Sequence, residues 1–346
     1  MDIKSLTCCF SCLFSILIIA IMCNPTASSN SETKKKYIIF DTDMGSDDAW
    51  ALQMILKAEK EQQNVKVLAI TAVSGNTSPE NVAKNSYRIL DGVGRTDIPI
   101  YKGAIEAFIP SDLQSAQFYG VNGFSDVEFW KPSYPHDVNE IFQQKSAVEI
   151  IRELVMTNPH EISIISIGPL TNVALAIKAY PEIKENIKEI YIMGGNYQGK
   201  GNALRGSEYN FFKDPEAAYI LLNSLNCPIT ILPIESPESV NITLEWRFNV
   251  LGKVDNENVQ LLNKVEQIAF RNSERFEPFD ALLVASFLFP ECIRQQNRYN
   301  ATIELQGIHT RGQMVFDRSS SDYNVNVVEM VHEDKFKEIL LWAAKP

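Results

Sequence analysis

Four aspartates lie within eight residues of one another near the start of the chain, in the segment YIIFDTDMGSDDAWAL (residues 37–52). They are Asp41, Asp43, Asp47 and Asp48. Carboxylates this close destabilise one another unless a cation neutralises their charge, so the cluster indicates a bound divalent cation. Asp47 and Asp48 could instead cap a helix and interact favourably with its dipole. Helix capping does not explain why Asp41 and Asp43 also stand at the end of the preceding apolar run.

The elements that position these carboxylates alternate between strand and helix from residue 36 onward. An apolar, β-rich run predicts a strand over residues 37–43, and helical periodicity predicts a helix over residues 47–60. Nearly continuous apolar strands indicate that both faces of the sheet are covered. We therefore predict a single α/β domain over residues 36–346, an open, mostly parallel sheet flanked by helices. Further strands are predicted over residues 65–73, 98–103, 162–168, 187–195, 228–235 and 324–331.

Oxygen-bearing groups stand where the predicted strands end and where one later helix begins. In open parallel sheets ligands bind at the carboxyl ends of the strands, so these groups are expected to meet at one edge. None of the four histidines stands there, nor does Cys227 or Cys292. Oxygen-only ligands suit a hard cation such as Ca²⁺ or Mg²⁺. The groups belong to Asp43, Asn76, Ile167, Asn202, Glu208, Asn210 and Asp280.

An apolar strand followed by D-x-D also opens phosphotransferases of the haloacid dehalogenase type. These enzymes use the first aspartate as a nucleophile, and they need a downstream Ser or Thr, a Lys and a late acidic pair. Here the D-x-D is followed at once by Gly45 and the pair Asp47-Asp48, and no well-placed late acidic pair follows. The sequence therefore disfavours a phosphatase.

The segment DTDMGSDDAWAL resembles the N-terminal signature of the inosine-uridine-preferring nucleoside hydrolases, D-x-D-x-G-x-D-D-A-x-A. Further blocks similar to that family follow in the family's order: AITAVSGN, SIGPLTNVALA and IYIMGGNYQGKGNALRGSEYNFFKDPEAA. The resemblance extends from about residue 36 to the C-terminus. It implies a Rossmann-like nucleoside hydrolase fold and hydrolysis of the N-glycosidic bond of ribonucleosides to ribose and free base.

The resemblance also implies a Ca²⁺ site and a role for each site residue. The cation would lower the pKa of a water molecule that attacks C1′ of the ribose, and Asp43 would act as the general base. Asp41 would support the site without ligating the cation. The implied cation ligands are Asp43, Asp48, the main-chain carbonyl of Ile167, and Asp280. The implied ribose-binding residues are Asp47, Asn76, Met193, Asn202, Glu208 and Asn210.

The chain departs from the family where many members carry histidines that serve the leaving base. Phe279 stands at one of these positions and Tyr119 at the other. In one account, aromatic rings stack on a purine and raise its basicity, so that solvent protonates it; Tyr119, Trp246 and Phe279 are the main candidates. In another, Tyr119 or a different group supplies the proton. In a third, the protein binds nucleosides in a calcium-dependent manner without turning them over.

Residues 1–29 are typical of a secretory signal peptide, because Lys4 precedes an apolar run over residues 10–23 and a small, polar exit follows. The run is shorter than the about 20 residues that a membrane-spanning helix needs. We therefore predict a secreted, extracellular protein that is not held at a membrane after cleavage. Glycan acceptor sequons at Asn241 and Asn300 are compatible with this prediction.

The expected partner is a small nucleoside. A net charge of −11 argues against binding to nucleic acid or to anionic membranes. The resemblance implies a possible homodimer or homotetramer, since members of the family are commonly dimers or tetramers.

Overall fold

Strands and helices alternate through most of the chain, as the periodicity predicts. The computed structural model describes residues 35–62, 64–110, 118–131 and 133–346. The predicted signal peptide over residues 1–29 lies outside the described residues, so secretion stays a prediction. Among the described residues, no helix combines the length and the apolar character that spanning a bilayer requires.

Nine strands within the described residues form one sheet. They are β1 (Lys36–Thr42), β2 (Val65–Ala72), β3 (Ile100–Lys102), β4 (Ile162–Ser166), β5 (Glu189–Met193), β6 (Ile229–Leu232), β7 (Ile293–Ile303), β8 (Met314–Asp317) and β9 (Val325–Val331). Their order across the sheet is β3-β2-β1-β4-β5-β6-β9-β7-β8. All pairs from β3 to β9 are parallel, whereas β7 runs antiparallel to both of its neighbours. The open, mostly parallel sheet is confirmed.

Helices cover both faces of this sheet. They are α1 (Ser46–Gln62), α2 (Pro79–Gly92), α3 (Ala147–Thr157), α4 (Thr171–Ala179), α5 (Tyr209–Lys213), α6 (Pro215–Ser224), α7 (Leu244–Asn249), α8 (Glu257–Ala269), α9 (Phe279–Leu288) and α10 (Glu333–Ala344). One apolar core includes Trp50 of α1 and Leu283 of α9, together with residues of α2, α8 and α10. A second core includes Val173 of α4 and Leu221 of α6, together with residues of α3.

The apolar pattern does not predict β7, β8 or α5. The sequence of β7, IRQQNRYNATI, is polar, and residues 294–298 are exposed. This strand is therefore stabilised by its hydrogen bonds to β9 and β8 rather than by burial of its side chains along its length. The short helix α5 lies inside the segment 196–213 that the sequence predicts as a loop.

A buried ion pair anchors α1, the helix whose first turn carries Asp47 and Asp48. The Arg247 guanidinium and the Glu266 carboxylate are both fully buried, with Nε and Oε2 2.5 Å apart. The indole Nε1 of Trp50, on α1, donates a hydrogen bond to Oε1 of the same carboxylate at 3.0 Å. Glu266 thereby joins α1 to α7 and α8.

We expect Glu266→Ala to lower the free energy of unfolding by about 3–5 kcal/mol, because it leaves the buried Arg247 charge without its partner. Chemical denaturation followed by circular dichroism measures the change. The matched control is Glu238→Ala, which breaks an exposed pair with Lys200 and should leave the unfolding midpoint in place. Equal effects of the two substitutions would contradict the anchoring role of Glu266.

Candidate active site

Carboxylates from distant parts of the chain converge at the carboxyl end of β1. Asp47 and Asp48 lie in the first turn of α1, and Asp280 is the second residue of α9. One carboxylate oxygen from each of these three residues lies within 4.8 Å of the others. All three side chains are buried. Two helix N-termini, which favour negative charge, thus point their acidic residues at one place.

Asp43 lies beside this group, at the end of β1, with one carboxylate oxygen occupied and the other without a partner. The backbone N–H of Asn76 donates to Oδ2 at 2.7 Å, whereas Oδ1 is buried and has no hydrogen-bond partner. Glycines make this approach possible, because a Cβ at Gly75 would lie 2.1 Å from Oδ2 and one at Gly168 would lie 2.9 Å from Oδ1.

Hydrogen bonds to Asp48 and Asp47 fix the remaining geometry of the cluster. The Thr42 hydroxyl donates to Oδ1 of Asp48 at 2.5 Å, and the Gly45 N–H donates to Oδ2 at 2.7 Å. Oδ1 of Asp47 is buried without a partner, while the Tyr119 hydroxyl is a hydrogen-bond partner of the Asp47 carboxylate. Unpartnered carboxylate oxygens at one buried place fit a hard divalent cation.

Burial and mutual repulsion make these carboxyls weak acids. Burial, followed by the charge of Asp47, raises the pKa of Asp48 to about 7. Burial and the charge of Asp48 raise the pKa of Asp43 well above its usual value, and burial and the charge of Asp47 do the same for Asp280. Without a neutralising cation, protons would be retained at this site near neutral pH.

Asp41 lies behind the cluster, among the strands. Its carboxylate accepts hydrogen bonds from the hydroxyls of Thr71 (2.6 Å) and Ser166 (2.8 Å) and from the Asn172 amide (2.8 Å). Burial raises the pKa of Asp41 to about 6. These donors come from β2, β4 and α4, so Asp41 joins the elements next to β1 beneath the site.

A cavity of about 310 Å³ opens above the carboxylates. Its polar side is built from the strand ends and the segment before α5, and it contains all six of the predicted ribose-binding residues as well as two of the predicted cation ligands. Asn76 is half-buried there, and Asn202 is exposed at the cavity's rim. The residues on this side are Asp47, Asn76, Ile167, Met193, Asn202, Glu208, Asn210 and Asp280.

Glu208 and Asn210 order the polar side. The Glu208 carboxylate accepts hydrogen bonds from the backbone N–H groups of Gly195 (2.8 Å), Asn210 (2.8 Å) and Phe211 (3.1 Å), and so caps α5. Burial raises the pKa of Glu208 to about 7. The Asn210 amide donates to the carbonyl oxygens of Ile167 (3.0 Å) and Met193 (3.2 Å). The carbonyl of Ile167 therefore faces this side of the cavity.

Aromatic residues also line the cavity, and we call Phe118, Tyr119, Tyr209, Phe270 and Phe279 the aromatic wall. Phe118 stands edge-on to both Tyr119 and Phe270, with ring centroids 4.9 and 5.4 Å apart. Edge-to-face contacts of this kind hold the rings in fixed orientations.

Two of the predicted stacking candidates, Tyr119 and Phe279, are in the aromatic wall, and the third is not. Trp246 lies outside the cavity; it packs against the core, with the Lys337 ammonium 5.7 Å from its ring centroid. None of the four histidines lines the cavity. Sequence reasoning missed Phe270, Ser273 and Glu277, which line it from the segment between α8 and α9, where no motif points to them.

Comparison with known proteins decides the family. A family model described as inosine-uridine preferring nucleoside hydrolase matches residues 38–338. The chain belongs to this family. It is therefore an N-glycosyl hydrolase that acts on ribonucleosides, as the motifs predict, and the family is metal-dependent. The haloacid dehalogenase alternative is set aside by the same match.

Individual nucleoside hydrolases are similar to this one over most of their length. The pyrimidine-specific ribonucleoside hydrolase RihA of Citrobacter koseri is 31% identical, over 81% of this chain and 88% of its own. A solved inosine-guanosine nucleoside hydrolase is 25% identical with a TM-score of 0.80, over 90% of this chain and 98% of its own. A solved plant nucleoside hydrolase is 24% identical with a TM-score of 0.79, over 90% of this chain and 99% of its own.

We expect divalent-cation affinity to fall as the pH falls through about 7, because protons held by Asp48 and its neighbours must then be displaced. A single carboxyl with this pKa weakens the affinity by about tenfold between pH 8 and pH 6. Isothermal titration of chelator-treated protein with Ca²⁺ at the two pH values measures the change. Equal affinity at the two pH values would contradict a site built from these carboxyls. Asp48→Asn should weaken Ca²⁺ binding at either pH.

Proposed function

We propose that this nucleoside hydrolase cleaves purine ribonucleosides with Ca²⁺ as its cation. The observation that carries the proposal is the convergence of Asp47, Asp48 and Asp280, with Asp43 beside them, at a cavity that Asp47 and Asp280 line together with the aromatic wall. We call these four aspartates the acidic floor. Carboxylate oxygens can ligate a cation and accept hydrogen bonds from a sugar diol, whereas aromatic rings can stack on a flat base.

The donor set supports a hard cation. Asp43, Asp48, Asp280 and the carbonyl of Ile167 would hold it, because all four offer oxygen atoms. Oδ1 of Asp43 and Oδ1 of the adjacent Asp47 have no hydrogen-bond partner. When bound, the cation supplies Lewis acidity towards a water molecule and a binding point for the ribose hydroxyls. Seven or so oxygen ligands at flexible geometry are typical of Ca²⁺ rather than Mg²⁺.

Asp43 would act as the general base, because its carboxylate is oriented and has one free acceptor oxygen. Its Oδ2 is held by the backbone of Asn76, which fixes the orientation of the carboxylate. Its Oδ1 has no partner and is the atom that would accept the proton of the attacking water. The proton affinity of a buried carboxylate beside other acids is raised, and a base whose pKa lies nearer to neutrality accepts a proton more readily.

The polar side would hold the ribose. A carboxylate has about four acceptor positions, and backbone N–H groups occupy three of those of Glu208, which leaves one for a sugar hydroxyl. The amides of Asn76 and Asn202 line the same side. Oxocarbenium character develops on the ribose as the glycosidic bond breaks, and the aspartates of the floor stabilise that positive charge.

The aromatic wall would bind the base. With no histidine at the cavity, stacking against rings such as Phe279 and Phe118 supports the account in which the base is activated by its π-contacts and protonated by solvent. A purine offers the larger face for such contacts. The names of similar proteins include both pyrimidine-specific and inosine-guanosine hydrolases, so the purine preference rests on this wall.

We expect the protein to release reducing sugar from inosine and guanosine faster than from uridine and cytidine, and to lose this activity in excess chelator. Asp43→Asn should lower kcat by about 10²–10⁴-fold, because it removes the group that accepts the proton. Asp334→Asn, an exposed change, is the matched control and should retain full activity. Calcium-dependent nucleoside binding without any product would contradict the proposal and point to a binding protein.

We expect Phe279→Ala to lower kcat/KM for inosine by about tenfold, in line with about 1–1.5 kcal/mol for a well-oriented aromatic contact. The same substitution should have a much smaller effect on p-nitrophenyl β-D-ribofuranoside, whose leaving group needs no protonation. Trp246→Ala serves as the comparison, since Trp246 lies outside the cavity. Equal losses on both substrates would contradict a role in activating the base.

A further inference from the structure

Glu277 is an acid that the mechanism above does not use, yet it lines the cavity, in the segment that carries Phe270 and precedes Phe279. Its side chain is half-buried, and among the described residues its carboxylate has no hydrogen-bond donor, although the charges of Arg275 and Glu238 act on it. A carboxylate that is partly removed from water and unpaired gains from a ligand that donates N–H groups. The proposed ribose and cation sites do not use it.

The segment that carries Glu277, residues 270–278, is held in place from both ends. The backbone N–H of Phe276 donates to the carbonyl of Ile242 at 2.9 Å, and Arg275 forms a β-bridge with Thr243. The Phe276 ring is 1% exposed and packs edge-on against Phe270, with centroids 5.4 Å apart. Glu277 is therefore presented to the cavity by a fixed backbone.

In the proposed function the ribose binds at Asp47 and Asp280, and the base binds against the aromatic wall. Glu277 lines the same cavity in the segment that also carries Phe270 and directly precedes Phe279. An ionised carboxylate only accepts hydrogen bonds, and its two oxygens match two neighbouring N–H donors. Among the common bases, guanine offers such a pair in N1–H and its 2-amino group, and hypoxanthine offers N1–H alone.

We propose that Glu277 reads the edge of the base, accepting hydrogen bonds from N1–H of 6-oxopurines and from the 2-amino group of guanine. Glu277 is then a specificity-determining residue, and the substrate class is the 6-oxopurine ribonucleosides, with guanosine preferred to inosine. The inference rests on the proposed function, because it needs a nucleoside bound with its ribose on the floor. Ser273, four residues before Glu277 in the same segment, also lines the cavity and can donate its hydroxyl to O6.

The test compares kcat/KM for guanosine, inosine and purine riboside, which lacks both N1–H and the 2-amino group. Assays at pH 8 favour the ionised carboxylate, whose pKa is raised by burial and lowered by Arg275. Glu277→Gln should lower kcat/KM for guanosine by about ten- to a hundredfold, as expected when a charged acceptor is lost, and that for inosine by less. The value for purine riboside should stay within about twofold, because that base makes no such bond.

Glu274→Gln is the matched control, since Glu274 is an exposed acid on the same segment that does not line the cavity; it should leave all three values unchanged. Glu277→Ala should repeat the pattern of Glu277→Gln, and the thermal midpoints of both variants show whether the fold is retained. Equal losses on all three nucleosides, or an unchanged ratio of guanosine to purine riboside, would overturn the role of Glu277 while leaving the hydrolase intact. Wild-type protein that hydrolyses no nucleoside would instead overturn the proposed function, and this inference with it.

Discussion

The repulsion between buried carboxylates is the constraint around which this molecule is organised. Asp43, Asp47, Asp48 and Asp280 are removed from water, which raises the pKa of each, and the charges of neighbouring aspartates raise the pKa of Asp43, Asp48 and Asp280 further. Such a group is tolerated because other parts of the fold oppose the repulsion: the N-termini of α1 and α9, and the donors Thr42 and Gly45 at Asp48. A bound cation would neutralise the remaining negative charge. Metal binding would therefore stabilise the packing of α1 against α9.

The sheet explains how residues so far apart in sequence meet. β1 lies between β2 and β4, and the strand ends that carry Asp43, Asn76 and Ile167 are therefore neighbours at one edge. α9 is buried from Asp280 to Leu288 and packs against α1, which brings Asp280 to the same edge. The ion pair of Arg247 with Glu266 then secures α1 from the far side of the site.

Much of this could be predicted from the sequence, for identifiable reasons. The apolar runs of β1, β2, β4, β5 and β6 and the period of α1 are strong local signals, and ordered motifs mark the residues at the strand ends. β7 carries little such signal, because a polar strand next to the edge of a sheet has the composition of a loop. Glu277 and Phe270 were missed because nothing local shows that the segment between two helices lines a cavity. Trp246 was wrongly predicted to stack on the base, because the residue type of an aromatic side chain does not show whether it packs against the core or lines a cavity.

The side chains that would hold the sugar and the cation come from strand ends and helix starts. Several that would contact the base come from the short segment 270–278 and from Phe279, which follows it. Backbone contacts of that segment with residues 242 and 243 hold it against the rest of the domain. The hydrogen bonds that hold Asp48, from Thr42 and Gly45, come from a different part of the chain. In the proposed function, substitutions at Phe270, Ser273 or Glu277 would therefore alter recognition of the base while leaving those hydrogen bonds in place.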